Sequence, residues 1–363
     1  MMLALNEIRR GRGRFAAIIG ALSLIVFLVL TLAALADGLF FGSTGAVRST
    51  TATAYAFAPD AKGSLIRSSI KESEVAVAAK SPGVERASGV GVLLSSGDTT
   101  AGEQDLAIFG VEPDGAGVPT SIVSGALPAP GADAEAAIDK SLADQGVAIG
   151  DTITVGDKSV EVVGIVSDAS YQLQPTVWTT LPTWREMRNS VRPEFTGVTD
   201  DINAVAIEAA PGTAPEVKGL TVLTAEETGL AIPGVEQQAS TLNTIIYTTL
   251  AVAALVVALF FALIVLEKRE LFAALKALGT STARLGWGVV LQAVIASAIG
   301  VVIGAVVSRL LGLVVPEQVP TLFRTDTLIS IAIFTLVAGV LGAAFSLRRI
   351  ARIDPATAIG GAL

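Results

Sequence analysis

The sequence contains no cysteine and no histidine among its 363 residues. The absence of both residue types excludes disulfide frameworks, cysteine nucleophiles, serine–histidine–aspartate triads and the usual zinc sites. Charged residues make up only 16% of the chain and aromatic residues 5%. There is also no glycine-rich loop ending in Gly-Lys-Ser/Thr, so the usual phosphate cradle for nucleotide hydrolysis is missing. We therefore expect neither enzymatic activity nor a bound cofactor or metal in this chain.

Hydrophobic residues, in contrast, are abundant: they make up 52% of the chain, and the mean hydropathy is +0.65. Four apolar runs are long enough to cross a bilayer as helices and contain no Asp, Glu, Lys or Arg: residues 15–36, 242–266, 285–307 and 327–347. The first run could be mistaken for a cleaved signal peptide, but its 22 residues exceed the usual apolar core of such a peptide. The sequence predicts a multi-pass protein of the cell membrane.

The distribution of basic residues predicts the orientation in the membrane. Residues 1–14, 267–284 and 348–363 together hold 11 of the 25 basic residues and only four acidic ones. Lys and Arg in short segments beside membrane spans mark the cytoplasmic side. We therefore expect a cytoplasmic basic arm, a cytoplasmic connection after the second span and a cytoplasmic tail, with both termini inside.

The remaining segments are predicted to lie outside. Residues 308–326 form a short outer loop, and residues 37–241 form one extracytoplasmic domain with 27 acidic and 12 basic residues, a net charge of −15. An acidic domain of this kind repels nucleic acid, so no nucleic-acid partner is expected. Alternating apolar residues on both sides of Gly156-Asp157 predict a β-hairpin there. Other predicted elements are helices at 64–80, 140–144 and 183–190 and strands at 89–94, 105–111, 134–138, 204–207 and 222–223.

The connection at 267–284 carries an amphipathic helix. Leu271, Leu275 and Leu278 follow one another at i, i+4 and i+7 and form an apolar stripe, while Arg269 and Lys276 lie on the opposite face. Gly279 supplies the helix stop. This pattern fits a helix that contacts a cytoplasmic partner, and it equally fits a helix held on the membrane surface by lipid headgroups.

Glycine spacing within the spans is a further signal. Gly300 and Gly304 in the third span, and Gly339 and Gly342 in the fourth, are spaced so that neighbouring helices can approach closely. High glycine content alone is also common in membrane helices, so each pair on its own is equally well explained without a contact.

Three segments together resemble the permease subunits of FtsX/MacB-type ABC transporters, also called type VII or mechanotransmission transporters. They are Glu267-Lys268-Arg269 through Leu275-Lys276-Ala277-Leu278-Gly279, the tail Arg348–Ala356, and residues 150–168 of the outer domain. The resemblance implies an α-helical membrane protein with four transmembrane helices, one plus three, and an inserted extracytoplasmic α+β domain. It also implies a homodimer working with two separate ABC ATPase subunits, which bind ATP and Mg²⁺.

By this resemblance, the residues that couple the chain to its ATPase are Glu267, Arg269, Glu270, Leu271, Leu275, Lys276, Leu278 and Gly279. The chain length is similar to that of the haem-exporter permeases of the family, which makes efflux of haem or another amphiphile from the membrane the first hypothesis. An FtsX-like transducer that activates a cell-wall hydrolase, or an exporter of antimicrobial peptides or lipoproteins, stays open as an alternative.

Four aromatic residues are candidates for contact with such a cargo: Phe40, Phe41, Tyr55 and Tyr247. At the ends of membrane spans, aromatic side chains most often form an interfacial belt against lipid. The alternative is an aromatic slot between two protomers that opens to the outer leaflet. Because the chain has no histidine, haem iron would be ligated by a tyrosine or a carboxylate.

Overall fold

The computed structural model of the chain describes residues 12–316 and 319–351, without the side chains at positions 12, 14, 269 and 345–351. Most of the predicted cytoplasmic arm (residues 1–11) and the tail beyond residue 351 therefore lie outside the described residues. The chain forms two compact units. The membrane unit comprises Met1–Gly38 and Ser240–Leu363, and the outer unit comprises Leu39–Ala239.

The described residues form nine α-helices and twelve β-strands. The helices are α1 (Arg12–Arg48), α2 (Ser73–Ala79), α3 (Lys140–Asp144), α4 (Leu181–Val191), α5 (Ala225–Ala231), α6 (Val235–Glu267), α7 (Arg269–Ala277), α8 (Thr282–Gly312) and α9 (Thr325–Ala351). The strands are β1 (Ala54–Phe57), β2 (Ile70–Lys71), β3 (Val84–Thr99), β4 (Gly102–Val111), β5 (Ile122–Gly125), β6 (Glu135–Asp139), β7 (Thr152–Val155), β8 (Lys158–Val166), β9 (Thr176–Thr180), β10 (Asp201–Ile202), β11 (Ala204–Ala209) and β12 (Thr221–Thr224).

Four of these helices, α1, α6, α8 and α9, are long and apolar enough to cross a membrane. One precedes the outer unit and three follow it, which confirms the predicted fold class. Each helix extends beyond its predicted span, because the prediction followed hydropathy whereas a helix continues to its capping residues. As a result, residues 282–284 of the predicted cytoplasmic connection begin α8, and residues 308–312 of the predicted outer loop end it.

Two apolar clusters hold the membrane unit together. One joins Ile18 and Leu22 of α1 to Phe261 of α6 and to α7, α8 and α9, and the other surrounds Val29 further along α1. Glycines allow the helices to approach closely at these contacts. A Cβ atom on Gly304 would lie 2.8 Å from the Val26 Cβ, and one on Gly300 would lie 2.9 Å from the Leu22 Cβ. In the third span, then, the predicted glycine pair does lie at a helix contact.

The second glycine pair lies on α9 and makes two separate contacts. A Cβ atom on Gly339 would lie 2.5 Å from the Ser297 Oγ of α8, and one on Gly342 would lie 3.0 Å from the Ala258 Cα of α6. Both glycine pairs therefore serve packing within one chain.

The outer unit is built on a mixed ten-stranded sheet with the order β12-β1-β11-β3-β4-β9-β6-β8-β5, with β7 paired to β3 and β8. The pairs β4–β9 and β6–β8 are parallel, and the remaining pairs of this sheet are antiparallel. Alternate residues of its strands enter two different apolar clusters, as Tyr55 and Ala56 of β1 do. This alternation shows that both faces of the sheet are buried.

A glycine pair at the centre of the sheet accommodates a tryptophan. Gly91 of β3 lies opposite Gly110 of β4, and a Cβ atom on either glycine would lie 2.4 Å from the nearest atom of Trp184. The α4 helix that carries Trp184 can therefore lie close against the sheet. Trp184 is buried, and Arg188 of the same helix lies 4.9 Å from the centroid of its ring.

The predicted elements of the outer domain agree with the structure in most places. The hairpin at Gly156 is confirmed by the antiparallel pair β7–β8, and the predicted helix at 140–144 coincides with α3. The helix predicted for residues 64–80 is wrong in its first half, since only Ser73–Ala79 is helical. In this half, the side-chain amide of Asn203 donates to the carbonyl oxygens of Leu65 and Ser68. In a helix these oxygens would accept from backbone amides instead.

Candidate functional site

The segment proposed to contact a partner begins where α6 ends. Lys268 separates α6 from α7, and helical hydrogen bonding continues on both sides of it. The Lys268 amide donates to the Ile264 carbonyl at 3.1 Å, and the Phe272 amide donates to the Lys268 carbonyl at 2.9 Å. The backbone groups around this short interruption are thus satisfied within the chain.

The end of α7 is closed by backbone hydrogen bonds. The Gly279 amide donates to the Lys276 carbonyl and the Thr280 amide to the Leu275 carbonyl, each at 3.0 Å. This is the Schellman arrangement, which requires a left-handed residue, and Gly279 has φ +88°. The hydroxyl of Ser281 then accepts from the Arg284 amide at 3.3 Å and caps the first turn of α8.

The two faces of α7 have different surroundings. Phe272 and Ala273 are buried in the apolar cluster shared with α6 and α8. Leu271 and Leu278, in contrast, are 49% and 82% exposed, and Ala274 between them is also exposed. Leu271, Ala274 and Leu278 form an apolar surface, here called the exposed stripe, that no described residue of the chain covers.

The structure differs from the predicted stripe at one position. Leu275 is half-buried and lines a groove on the inner side of α7, so it does not join Leu271 and Leu278 at the surface. Lys276, predicted on the face opposite to the leucines, is also half-buried. Three other predicted coupling residues are exposed, as a contact surface requires: Glu267, Glu270 and Gly279. The side chain of Arg269 is not among those that the structure describes.

The groove on the inner side of α7 has a volume of about 270 Å³ and lies between α6, α7 and α8. We call it the basic groove, because Lys268 and Arg284 line it together with Thr280. The rest of its lining is mostly apolar and includes Phe272, Leu275, Ile264, Leu285, Gly288 and Val289, with Gln292 at the buried end.

A second groove lies between α1, α6 and α9. We call it the tyrosine groove; its volume is about 360 Å³ and its lining includes Tyr247, Asn243, Phe334, Ile331, Asp37 and Asp326. Tyr247 is 68% exposed, so its ring is available to a ligand in the groove. Asp37 also lines a neighbouring groove, and its carboxylate accepts from the Thr327 hydroxyl at 2.7 Å.

The three aromatic candidates of the outer unit do not line the tyrosine groove. Phe40 and Phe41 are half-buried and pack edge to face with ring centroids 5.5 Å apart, and Arg48 lies over the Phe41 ring. Tyr55 is only 2% exposed, and its hydroxyl donates to the Val47 carbonyl at 3.2 Å and lies 2.8 Å from the Thr50 hydroxyl oxygen. Burial raises the pKa of Tyr55. The expectation that Tyr55 contacts cargo is therefore corrected: its ring belongs to the core of the outer unit.

Asp37, Asn243 and Phe334 line the tyrosine groove but were not among the sequence candidates. Asp37 and Asn243 lie at the ends of apolar runs, and Phe334 lies within the fourth run. The signal that could have indicated Asp37 is its position as the first charged residue after the first span. Nothing in the sequence indicates that it approaches Asn243 and Phe334, because those residues lie on other helices.

Comparison with known proteins gives two family matches. Residues 15–218 match the MacB-like periplasmic core domain, and residues 243–355 match the C-terminal part of FtsX-like permeases. The first match alone covers more than half of the chain.

Individual relatives extend over the full chain. A protein of Staphylococcus haemolyticus, assigned by inference as the hemin transport system permease protein HrtB, is 23% identical over 369 residues, 99% of each chain. An uncharacterised ABC transporter permease of Mycobacterium bovis is 25% identical over 363 residues, again 99% of each chain. Among solved structures, the periplasmic region of MacB from Actinobacillus actinomycetemcomitans matches with a TM-score of 0.36 and 12% identity, over 50% of this chain and 92% of that one.

Proposed function

This chain belongs to the family of FtsX/MacB-type ABC transporter permeases, and we propose that it couples ATP hydrolysis by a separate ATPase subunit to the extrusion of a hydrophobic or amphiphilic cargo from the membrane. The similarity to ABC transporter permeases over 99% of the chain supports this most directly. The membrane unit also offers a surface for the motor, the exposed stripe, and a groove for the cargo, the tyrosine groove.

The motor is proposed to be another polypeptide, because the sequence has no Gly-Lys-Ser/Thr phosphate loop of its own. ATP and Mg²⁺ would be bound by that subunit. ABC motors work in pairs, so the proposed complex contains two copies of this chain and two ATPase subunits. When the motor pair closes on ATP, the two α7 segments are pulled together, and the movement passes to α6 through the shared cluster around Phe261 and Phe272.

Haem is the cargo that we propose first. The relative from Staphylococcus haemolyticus carries a name that refers to hemin transport, and the tyrosine groove combines exposed aromatic rings with a carboxylate edge. Tyr247 and Phe334 offer flat apolar contacts for a porphyrin. Without histidine, the available ligands for iron in this groove are the Tyr247 phenol and the carboxylates of Asp37 and Asp326.

Replacing Tyr247 tests this cargo in the purified complex of chain and ATPase. We expect haem to stimulate ATP hydrolysis, and Tyr247→Ala to raise the haem concentration for half-maximal stimulation about tenfold, because one aromatic contact is lost. Tyr247→Phe keeps the aromatic ring and removes only the hydroxyl. It should therefore change the visible spectrum of bound haem only if the tyrosine oxygen is a ligand to the iron.

The matched control is Leu255→Ala, since Leu255 is also well exposed on α6 but does not line the tyrosine groove. This variant should behave like the unmodified chain. If haem fails to stimulate hydrolysis in the unmodified complex, haem is not the cargo. Activation of a secreted peptidoglycan hydrolase by the same complex would instead favour the transducer function.

The proposed orientation can be tested with single cysteines, because the natural chain has none. Ala101 is exposed in the turn between β3 and β4, and Ala277 is exposed at the end of α7. We expect a membrane-impermeant maleimide to label Ala101→Cys on intact cells and Ala277→Cys only after permeabilisation. The unmodified chain serves as the blank. Labelling of position 277 from outside would overturn both the orientation and the contact with a cytoplasmic motor.

A further inference from the structure

The basic groove has two ends of different chemistry. Lys268 follows directly after α6, and Arg284 lies in the first turn of α8, so both basic residues are at the same end of the groove. Val289 and Gln292 lie further along α8. Gln292 lies eight positions after Arg284 on the helix, or about 12 Å along its axis. The groove is therefore basic at one end, and beyond it the lining is apolar except for Gln292 at the buried end.

The neighbouring surface is typical of the boundary between lipid headgroups and acyl chains. Trp287, on α8 beside the groove residues Arg284 and Gly288, is 73% exposed. Exposed tryptophan on a membrane helix is characteristic of the headgroup level. On α6, Leu263 and Leu266 are also exposed, as expected for a surface that faces acyl chains. Long basic side chains at this depth place their charges among the headgroups.

We propose that the basic groove binds an anionic phospholipid. Its phosphate would interact with Lys268 and Arg284, and the partial positive charge at the start of α8 would add to this attraction. The first methylene groups of the lipid would contact Phe272, Leu275 and Val289. Charge complementarity at one end and apolar lining at the other distinguish this ligand from a free phosphate, which would leave the apolar lining in contact with water.

Such a lipid would lie beside the exposed stripe of α7 and not on it. Phe272 and Leu275 line the groove, whereas Leu271 and Leu278 are exposed and do not line it. A bound lipid would thus support α7 from within the membrane unit and leave the exposed stripe uncovered. Binding requires neither nucleotide nor cargo, so it can be tested on the chain alone.

Quenching of Trp287 fluorescence by brominated lipid measures binding to the groove. Trp178 and Trp184 are buried in the outer unit, so lipid with brominated acyl chains should quench mainly Trp287. We expect the full-length chain in phosphatidylcholine vesicles to be quenched by brominated phosphatidylglycerol at about fivefold lower mole fraction than by brominated phosphatidylcholine. Arg284→Gln should remove most of this preference, and Lys268→Gln together with Arg284→Gln should abolish it. Lys276→Gln removes a charge from the same segment but outside the groove, so it should keep the preference.

A second pair of variants tests the groove without changing its charge. A Cβ atom at Gly288 meets no heavy atom within 4 Å, so Gly288→Leu fills the groove without a clash at Cβ. This variant should lose the preference about as completely as the double charge variant. Gly20→Leu is the matched control, because Gly20 also has open space around its Cβ position but lies on α1 outside the groove.

Three results would overturn the proposal. One is an unchanged preference in both Arg284→Gln and Gly288→Leu. Another is loss of the preference when millimolar inorganic phosphate is added, which would identify a phosphate site. The third is the absence of any preference in the chain alone, combined with cross-linking of position 284 to the ATPase subunit, which would identify the motor as the occupant.

Discussion

Replacing Leu271 and Leu278 together with glutamine is expected to weaken binding of the ATPase subunit about a hundredfold or more. Both side chains are exposed, so the substitutions leave the packing of this chain unchanged. If the two leucines are buried against the motor, each contributes about 1.5–3 kcal/mol to binding, and their joint loss exceeds a factor of a hundred. Binding of the purified ATPase to the solubilised chain measures the effect, and cargo-dependent hydrolysis should fall with it.

The control retains apolar side chains of similar size. Leu271→Met with Leu278→Met should preserve association, since volume-conserving apolar exchanges cost little. Leu275 is unsuitable for this test because it lines the basic groove, and a polar residue there would disturb the membrane unit itself. Full association and coupling in the glutamine double variant would mean that the exposed stripe faces lipid and that α7 is a membrane anchor.

The second large effect is expected from Gly304→Leu, which should separate α1 from α8. Even a Cβ atom at position 304 would lie 2.8 Å from the Val26 Cβ and 2.9 Å from the Ser23 carbonyl oxygen. Because part of this contact is backbone, a rotamer change cannot relieve it, and overpacking of this kind costs about 3 kcal/mol or more. The apparent thermal unfolding temperature of the solubilised chain should fall by about 10 °C.

A local probe can tell helix separation from general instability. Ser308 is buried, and its hydroxyl oxygen lies 3.2 Å from that of Thr31 on α1. In a Ser308→Cys background, Gly304→Leu should accelerate maleimide labelling at least about tenfold, because a cost of about 3 kcal/mol makes opening of the contact far more frequent. Gly20→Leu places the same side chain in open space on α1, outside the grooves described here, and should leave the labelling rate unchanged. Equal rates in both variants would show that the Gly304 contact does not hold α1 against α8.

The elements that the sequence predicts correctly are those whose structure depends on local signals. The β7–β8 hairpin could be predicted because apolar residues alternate on both sides of a turn in which Gly156 adopts φ +63°. The short helix α3 is capped at its start by Asp139, whose carboxylate accepts from the Ser141 amide at 2.8 Å. The four membrane helices could be predicted from hydropathy alone.

Contacts between distant parts of the chain account for the errors. Tyr55 follows the first span closely, so its position in the sequence predicts an interfacial residue. It lies instead on a strand between β11 and β12, which are formed more than 140 residues later in the sequence. The contact of Trp184 with Gly91 and Gly110 likewise depends on the pairing of β3 with β4. Such tertiary pairing overrides local preference and cannot be inferred from one sequence.

At α7 the periodicity correctly indicated an amphipathic helix but not which leucines lie at its surface. Leu271, Leu275 and Leu278 share one stripe on an isolated helix, yet Phe272 and Ala273 determine how the helix is rotated against α6 and α8. That rotation turns Leu275 inward and leaves Leu271 and Leu278 outward. The orientation follows from packing against other helices, which the hydrophobic pattern of a single segment does not contain.

The backbone closure at Gly279 has a consequence for how such permeases diversify. The turn from α7 to α8 is formed by main-chain hydrogen bonds and by one residue with positive φ, and no side chain of the exposed stripe takes part. Replacements at positions 271, 274 and 278 can therefore change the surface that we propose contacts the ATPase without altering the course of the chain. After gene duplication, two copies could diverge in partner choice through these positions alone, while position 279 stays glycine because other residues are strained at φ +88°.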